Sequence, residues 1–226
     1  MKTYPLFLVG LAERRTVVLG GGEEAERKVA GLLAAGAAVT VVAESLTPLL
    51  AALAQAHRVA WVERDYLEGD LDGAFLVVST GTDREQHKRA WCEARVTGAL
   101  INAVDDVEHC DFIAGSVVRR GDLVMAISTG GAAPALAVRL RESLERALGP
   151  EYGELVDLLA ELRARLADRV PEFAERRALW YELVDSAALA DLRAGRRARA
   201  RQRLHARIFR AHSSRGDDPA QEATHP

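Results

Sequence analysis

Three glycines close a short β-branched run, Thr16-Val-Val-Leu-Gly20-Gly21-Gly22, and Ala25 follows in the spacing G-x-G-x-x-A. That spacing suits a dinucleotide pyrophosphate. Gly20 permits a tight turn, Gly22 lets phosphate oxygens reach backbone N–H groups, and Ala25 allows the next helix to sit close to its strand. Glu23 and Glu24 open a run with apolar residues at helical spacing, so a helix N-terminus adds its partial positive charge to the same place. A purely structural turn would use the same glycines; the order strand, helix, strand favours the dinucleotide.

An acidic residue is expected about 20 positions further on, at the end of the second strand, to hold the adenosine ribose diol. Here that strand ends at Ala43, and Glu44 follows. Glu44 suits the diol or, equally, the N-terminal charge of the next helix. Neither Arg nor Lys occurs between Gly36 and His57 to hold a 2′-phosphate, which favours NAD over NADP.

Two further segments fall on the same edge. Ser79-Thr80-Gly81-Thr82-Asp83 follows the fourth strand, where small residues would admit the nicotinamide half, or where Thr82 or Asp83 would cap the next helix. Asn102-Ala-Val104-Asp105-Asp106 follows the fifth. A carboxylate at the mouth of a cofactor cleft can take a proton from substrate, although Asp105 and Asp106 would also start an ordinary turn. Beyond them, Ser128-Thr129-Gly130-Gly131 precedes a helix with Pro134 in its first turn, a natural anion-binding turn. Arg119, Arg120, Arg139 and Arg141 supply positive charge nearby in sequence, or are ordinary surface arginines. His109 and Cys110 read as loop residues, and no resident metal site is expected.

Positioning these groups requires a sheet. The strands TVVLG, AVTVVA (38–43), VAWVER (59–64), AFLVVST (74–80) and ALINAV (99–104), with helical runs among them, imply a Rossmann-like, doubly wound parallel α/β domain over 1–112. Next, FIAGSVVRR and DLVMAIST flank Gly121-Asp122 as a hairpin, followed by the amphipathic APALAVRLRESLERAL. A hairpin and one helix have little core of their own, so 113–150 is expected to be a dimerisation segment that buries itself against a second copy. Residues 151–210 read as a helical C-terminal domain, and 211–226 as a disordered tail. Eight arginines fall in 193–210 without interleaved aromatics, which favours a solvated face or pairing with the preceding acidic helices over nucleic-acid binding.

Composition narrows the function classes. In 226 residues, 30 basic and 33 acidic side chains give a net charge of -3, no general attraction to nucleic acid or anionic membrane. Two cysteines, outside any C-x-x-C pair, exclude a disulfide framework and fit a reducing compartment. The apolar run near the N-terminus is shorter than the ~7–15 residues of a signal-peptide core. No run reaches the ~20 apolar residues of a membrane span, so a cytoplasmic protein is expected.

The motifs VVLGGG-x-x-AERK, VVA, LVVST-x-TD, INAVDD, CDFI, VVRRGDL and AISTGG-x-x-PALA-x-x-LRE-x-LE, in this order, resemble the family of precorrin-2 dehydrogenases and sirohydrochlorin ferrochelatases, which includes the N-terminal module of sirohaem synthase. The resemblance runs from about Tyr4 to Leu148, and 151–210 is similar to the variable helical end of its stand-alone members. It implies oxidation by NAD of precorrin-2, a tetrapyrrole with eight carboxylates, to sirohydrochlorin, with Asp105 as the acid/base group. It also implies ferrous iron as a further substrate in bifunctional members; the homodimer expected here rests on the 113–150 segment. Three departures concern substrate fit: Ala114-Gly115 replaces an aromatic-proline step, the region after Thr82 is a residue short, and His87 stands where Asn is frequent. A rival reading is a non-catalytic NAD sensor, which would not need the STGG segment and its arginines.

Overall fold

The computed structural model describes residues 2–213. The chain divides after Ala114 into two compact units.

In the first unit the β-branched runs form β1 (Arg15–Leu19), β2 (Ala38–Val42), β3 (Ala60–Val62), β4 (Ala74–Ser79) and β5 (Leu100–Ala103). They make one parallel sheet in the order β3-β2-β1-β4-β5. This is the doubly wound order, in which the chain reverses its direction of travel beside β1 and ligands bind at the carboxyl edge. α1 (Glu23–Ala34) and α2 (Pro48–Gln55) cover one face, where Ala25, Val29 and Leu50 pack on Val18, Val39 and Val41. α3 (Arg84–Thr97) covers the other, where Ala90 and Ala94 pack on Val17, Leu19, Val77 and Ile101. Alternate β1 residues thus enter opposite cores, and a strand covered on both faces is apolar throughout.

α2 begins at Pro48 and not directly after β2, because proline fits only the first turn of a helix. Thr47 caps it: the hydroxyl accepts from Leu50 N at 3.2 Å and donates to Glu26 on α1 at 2.6 Å. No helix joins β3 to β4. Instead Tyr66 and Leu71 fill the second core, and buried Glu93 of α3 accepts the amides of Gly69 and Leu71 at 3.0 and 2.8 Å and the Tyr66 hydroxyl. Burial, reinforced by that carboxylate, raises the Tyr66 phenol well above its usual range.

The second unit begins with the antiparallel hairpin of β6 (Ser116–Arg120) and β7 (Leu123–Ile127), followed by α4 (Pro134–Ala147), α5 (Glu151–Arg169), α6 (Phe173–Val184), α7 (Ala188–Arg193) and α8 (Arg197–Ser213). The hairpin and the helices fall within one compact unit. The hairpin finds partners within the chain. Arg120 donates to Leu148 O and Glu145 O at 2.8 and 2.9 Å, capping α4, and a Cβ on Gly153 of α5 would stand 2.7 Å from Arg120 O. Leu155, Leu158, Leu162 and Leu166 form the buried face of α5, packed on Leu183, Leu192 and Leu204. Helix α8 continues through Ser213; the rest of the tail expected to be disordered lies outside the described residues.

The arginine run is paired within the chain. Arg193, Arg197, Arg201 and Arg207 meet Glu151, Glu154, Glu161 and Glu182. Asp191, 3% exposed, lies 2.9, 3.0 and 3.6 Å from Arg196, Arg203 and Arg199. Burial pushes the Asp191 carboxyl up, but the hydrogen bonds of Arg196 and Arg203 outweigh it and hold the group below its ordinary range. A depressed folded value contributes stability above the unfolded value of about 3.9 and loses it as pH falls through the folded one. Asp191→Asn is therefore expected to lower the melting temperature at pH 7, with the gap to the parent closing as pH falls below the unfolded value and through the folded one. Circular-dichroism melts across that range measure it, and a gap independent of pH overturns the electrostatic account.

Candidate functional site

At the carboxyl edge of β1, β2 and β4 the first unit opens into a cleft of about 440 Å³. Gly20, Gly21, Gly22, Ala43, Glu44 and Gly81 line it, as the sequence led one to expect, together with Asp65, Tyr66 and Gln86, which it did not. Gly20 has φ +109°, and a Cβ there would stand 2.5 Å from Thr80 Oγ1. Gly21 is the most confined: its Cβ would lie 1.9 Å from Ser45 O. At Gly22 a Cβ would meet nothing within 4 Å, so the wall of the cleft there is bare backbone beside open space. The first helical bond runs from Glu26 N to Gly22 O, which leaves the amides before it free for an anion. These residues fit a dinucleotide pyrophosphate.

Other residues expected at the cofactor also support the fold. The Thr80 amide and hydroxyl both donate to Leu19 O at 2.9 Å, clamping the end of β4 to β1. Exposed Thr82 and half-buried Val104 do not line the cleft, and Val104 N donates to Ser79 O at 2.9 Å. Asp83 caps α3 by accepting from Glu85 N at 2.9 Å, so Asp83, not Thr82, fills the capping role. His87 is 2% exposed with Nδ1 2.8 Å from Ser79 Oγ, a brace under the same strand end. Glu24 pairs with Arg27 and Lys28 on the helix surface, so any contribution of Glu23 and Glu24 to an anion comes through backbone N–H groups. Glu44 stands in the loop before Thr47, outside the first turn of α2, which removes the helix-charge alternative.

After β5 the chain makes a tight return. Asp105 is exposed with φ +61°, a left-handed conformation that Asp tolerates better than most residues. Its neighbour Asp106 is 7% exposed, with Oδ2 2.8 Å from His109 Nδ1. The Cys110 thiol accepts from Ala103 N at 3.2 Å and donates to Ala103 O at 3.1 Å, while Asn102 Nδ2 donates to Phe112 O at 3.0 Å. Burial pushes that thiol up, which keeps it protonated. Asp106 is thus spent on the loop, and Asp105 is presented at its tip. Sheet order places the two ends of the edge: Asp65 after β3 and Glu44 after β2, then the glycine turn after β1, then Gly81 after β4 and Asp105 after β5.

The expected anion site belongs to the second unit. Ser128 Oγ and Thr129 Oγ1 accept from Gly130 N and Ala133 N at 3.1 and 3.2 Å, with Gly130 and Gly131 at φ +62° and +82°. Part of the turn's donor set is therefore used internally. Arg139 and Arg141 pair with Glu142 and Glu145, and Arg120 is committed to α4. Arg119 is exposed and makes no ion pair among the described residues. No group of three or more His, Cys, Asp or Glu among those residues could hold a metal ion. No helix among them is long and apolar enough to cross a membrane.

Three family models match in succession: "Putative NAD(P)-binding" over residues 7–116, "Sirohaem biosynthesis protein central" over 120–147 and "Sirohaem synthase dimerisation region" over 151–208. The last falls on helices read from sequence as a variable end. Siroheme synthase 1 of Cronobacter sakazakii is 39% identical over 180 residues, 80% of this chain and 38% of that protein. For Siroheme synthase 1 of Serratia proteamaculans the figures are 35% over 204 residues, 90% and 43%. The chain spans less than half the length of these relatives. A solved structure described as a precorrin-2 dehydrogenase superposes with a TM-score of 0.66 at 25% identity, covering 91% of this chain and 100% of that one.

Proposed function

The chain belongs to the family of precorrin-2 dehydrogenases and sirohaem-synthase N-terminal modules, and from that membership we propose that it oxidises precorrin-2 to sirohydrochlorin with NAD, as a cytoplasmic homodimer. The observation that carries the reading is Asp105, an exposed carboxylate held at positive φ on the same sheet edge as a glycine turn built for pyrophosphate. Bound NAD supplies the hydride acceptor. The chain supplies position: the backbone at Gly22 and the start of α1 hold the pyrophosphate, Glu44 takes the adenosine ribose, and the β4 and β5 ends flank the nicotinamide half. Asp105 accepts the proton that substrate must lose as it is oxidised. Within the second unit, Arg119 and the turn at 128–131 are the groups suited to carboxylates. Ferrous iron enters, where it is used, as a substrate, with Asp105 receiving pyrrole protons.

Incubating the protein with precorrin-2 and NAD is expected to give the sirohydrochlorin spectrum and NADH in equal amounts. Absence of both, with NAD bound, would leave the sensor reading in its place. Adding ferrous iron to the same mixture reads the insertion step. In titration calorimetry NAD is expected to bind more tightly than NADP, since the cleft wall carries Glu44 and no basic residue. Light scattering is expected to report about twice the 24.5 kDa chain mass, and a monomer at micromolar concentration overturns the dimer.

A further inference from the structure

Asp65 has no part in the glycine motif and lies 21 residues beyond Glu44, yet it lines the same cleft. The reason is the β2–β3 connection at the edge of the sheet. Trp61 Nε1 donates to Ala43 O at 2.9 Å and Ala43 N donates to Val62 O at 3.2 Å, so the end of β3 is tied to the backbone that carries Glu44. Both neighbours of Asp65 are then fixed elsewhere. Arg64 grips both carboxylate oxygens of Asp70 at 2.7 Å and donates to Asp65 O at 2.9 Å, and Tyr66 turns inward to buried Glu93. Asp65 stays exposed, and its carboxylate makes no hydrogen bond or ion pair among the described residues. The adjacent guanidinium of Arg64, a group able to neutralise it or to bind a phosphate, is already occupied by Asp70.

We propose that Asp65 is a second specificity-determining carboxylate of the cofactor cleft, acting with Glu44 at its adenosine end to admit a ribose diol and reject a 2′-phosphate. The proposal rests on the dinucleotide reading of the cleft. Its physical basis is the placement of β3 outside β2: a ligand whose pyrophosphate sits at β1 and whose ribose sits at β2 brings its adenosine end toward β3. There a fixed negative charge repels a phosphate and accepts a hydrogen bond from a hydroxyl or amine.

The test measures dissociation constants of NAD and NADP for the full chain, for Asp65→Asn and for Asp65→Lys, with a melting curve for each. Asp65 holds no side-chain partner among the described residues, so all three are expected to melt together. Asp65→Asn is expected to shift the NADP-to-NAD preference by about tenfold toward NADP, chiefly by tightening NADP, and Asp65→Lys to shift it further. A preference within twofold of the parent in both variants overturns the proposal while leaving the dinucleotide site intact. A parent chain that binds neither dinucleotide overturns the reading of the cleft itself, and the proposal with it.

Discussion

Asp105→Asn is expected to lower NADH formation from precorrin-2 by about 10²–10⁴-fold while leaving NAD affinity and melting temperature at parental values. The substitution is clean for three reasons. Asparagine tolerates the left-handed backbone at φ +61° as well as aspartate does, the side chain is exposed, and among the described residues no hydrogen bond of the Asp105 carboxylate supports the loop. What is removed is the capacity to accept a proton at neutral pH. Asp106→Asn makes the contrast: it replaces the carboxylate that meets His109 with a neutral amide at a buried position, so it is expected to lower stability modestly while the folded fraction keeps its rate. Stopped-flow assays with a melting curve for each variant separate the two. Parental turnover by the Asp105 variant would return that residue to a turn-forming role.

Much of the first unit is legible because its physics is local. β-Branched runs bounded by glycine give the strands, and G-x-G-x-x-A marks where strand passes to helix. Asp105 is legible by position, directly after a strand on the ligand edge. What escapes is whatever depends on three dimensions. Nothing in the run Val104-Asp105-Asp106 tells which carboxylate turns inward; His109 and Cys110 decide it from downstream. Thr80 is legible by its place after β4, but nothing local tells that its hydroxyl donates to Leu19 O. Asp65 is invisible until β3 is known to flank β2, and Arg120 reads as a free cation until Leu148 and Glu145 claim it. Pro150 is legible as the start of α5, but the close approach of the hairpin to that helix at Gly153 is not written in the local sequence.

The glycine turn offers the sharpest separation of folding from binding, because adjacent residues with the same side chain are expected to fail differently. A methyl at Gly21 would have to occupy space 1.9 Å from Ser45 O and 3.0 Å from Ala43 Cβ. The loop cannot step back freely, since Thr47 N donates to Gly21 O at 2.9 Å. Gly21→Ala is therefore expected to cost about 1–3 kcal/mol, as overpacking does, and to lose NAD affinity as a consequence of the displaced loop. At Gly22, φ is -85° and a Cβ meets nothing within 4 Å, so substitution there carries no strain. Gly22→Asp is expected to melt with the parent yet to abolish NAD binding, because it sets a side chain and a negative charge where the pyrophosphate must approach the amides of α1. Calorimetric titration and thermal melts on both variants read the two effects independently. NAD binding to Gly22→Asp at parental affinity would show that the pyrophosphate lies elsewhere, and the roles drawn from the cleft would fall with it.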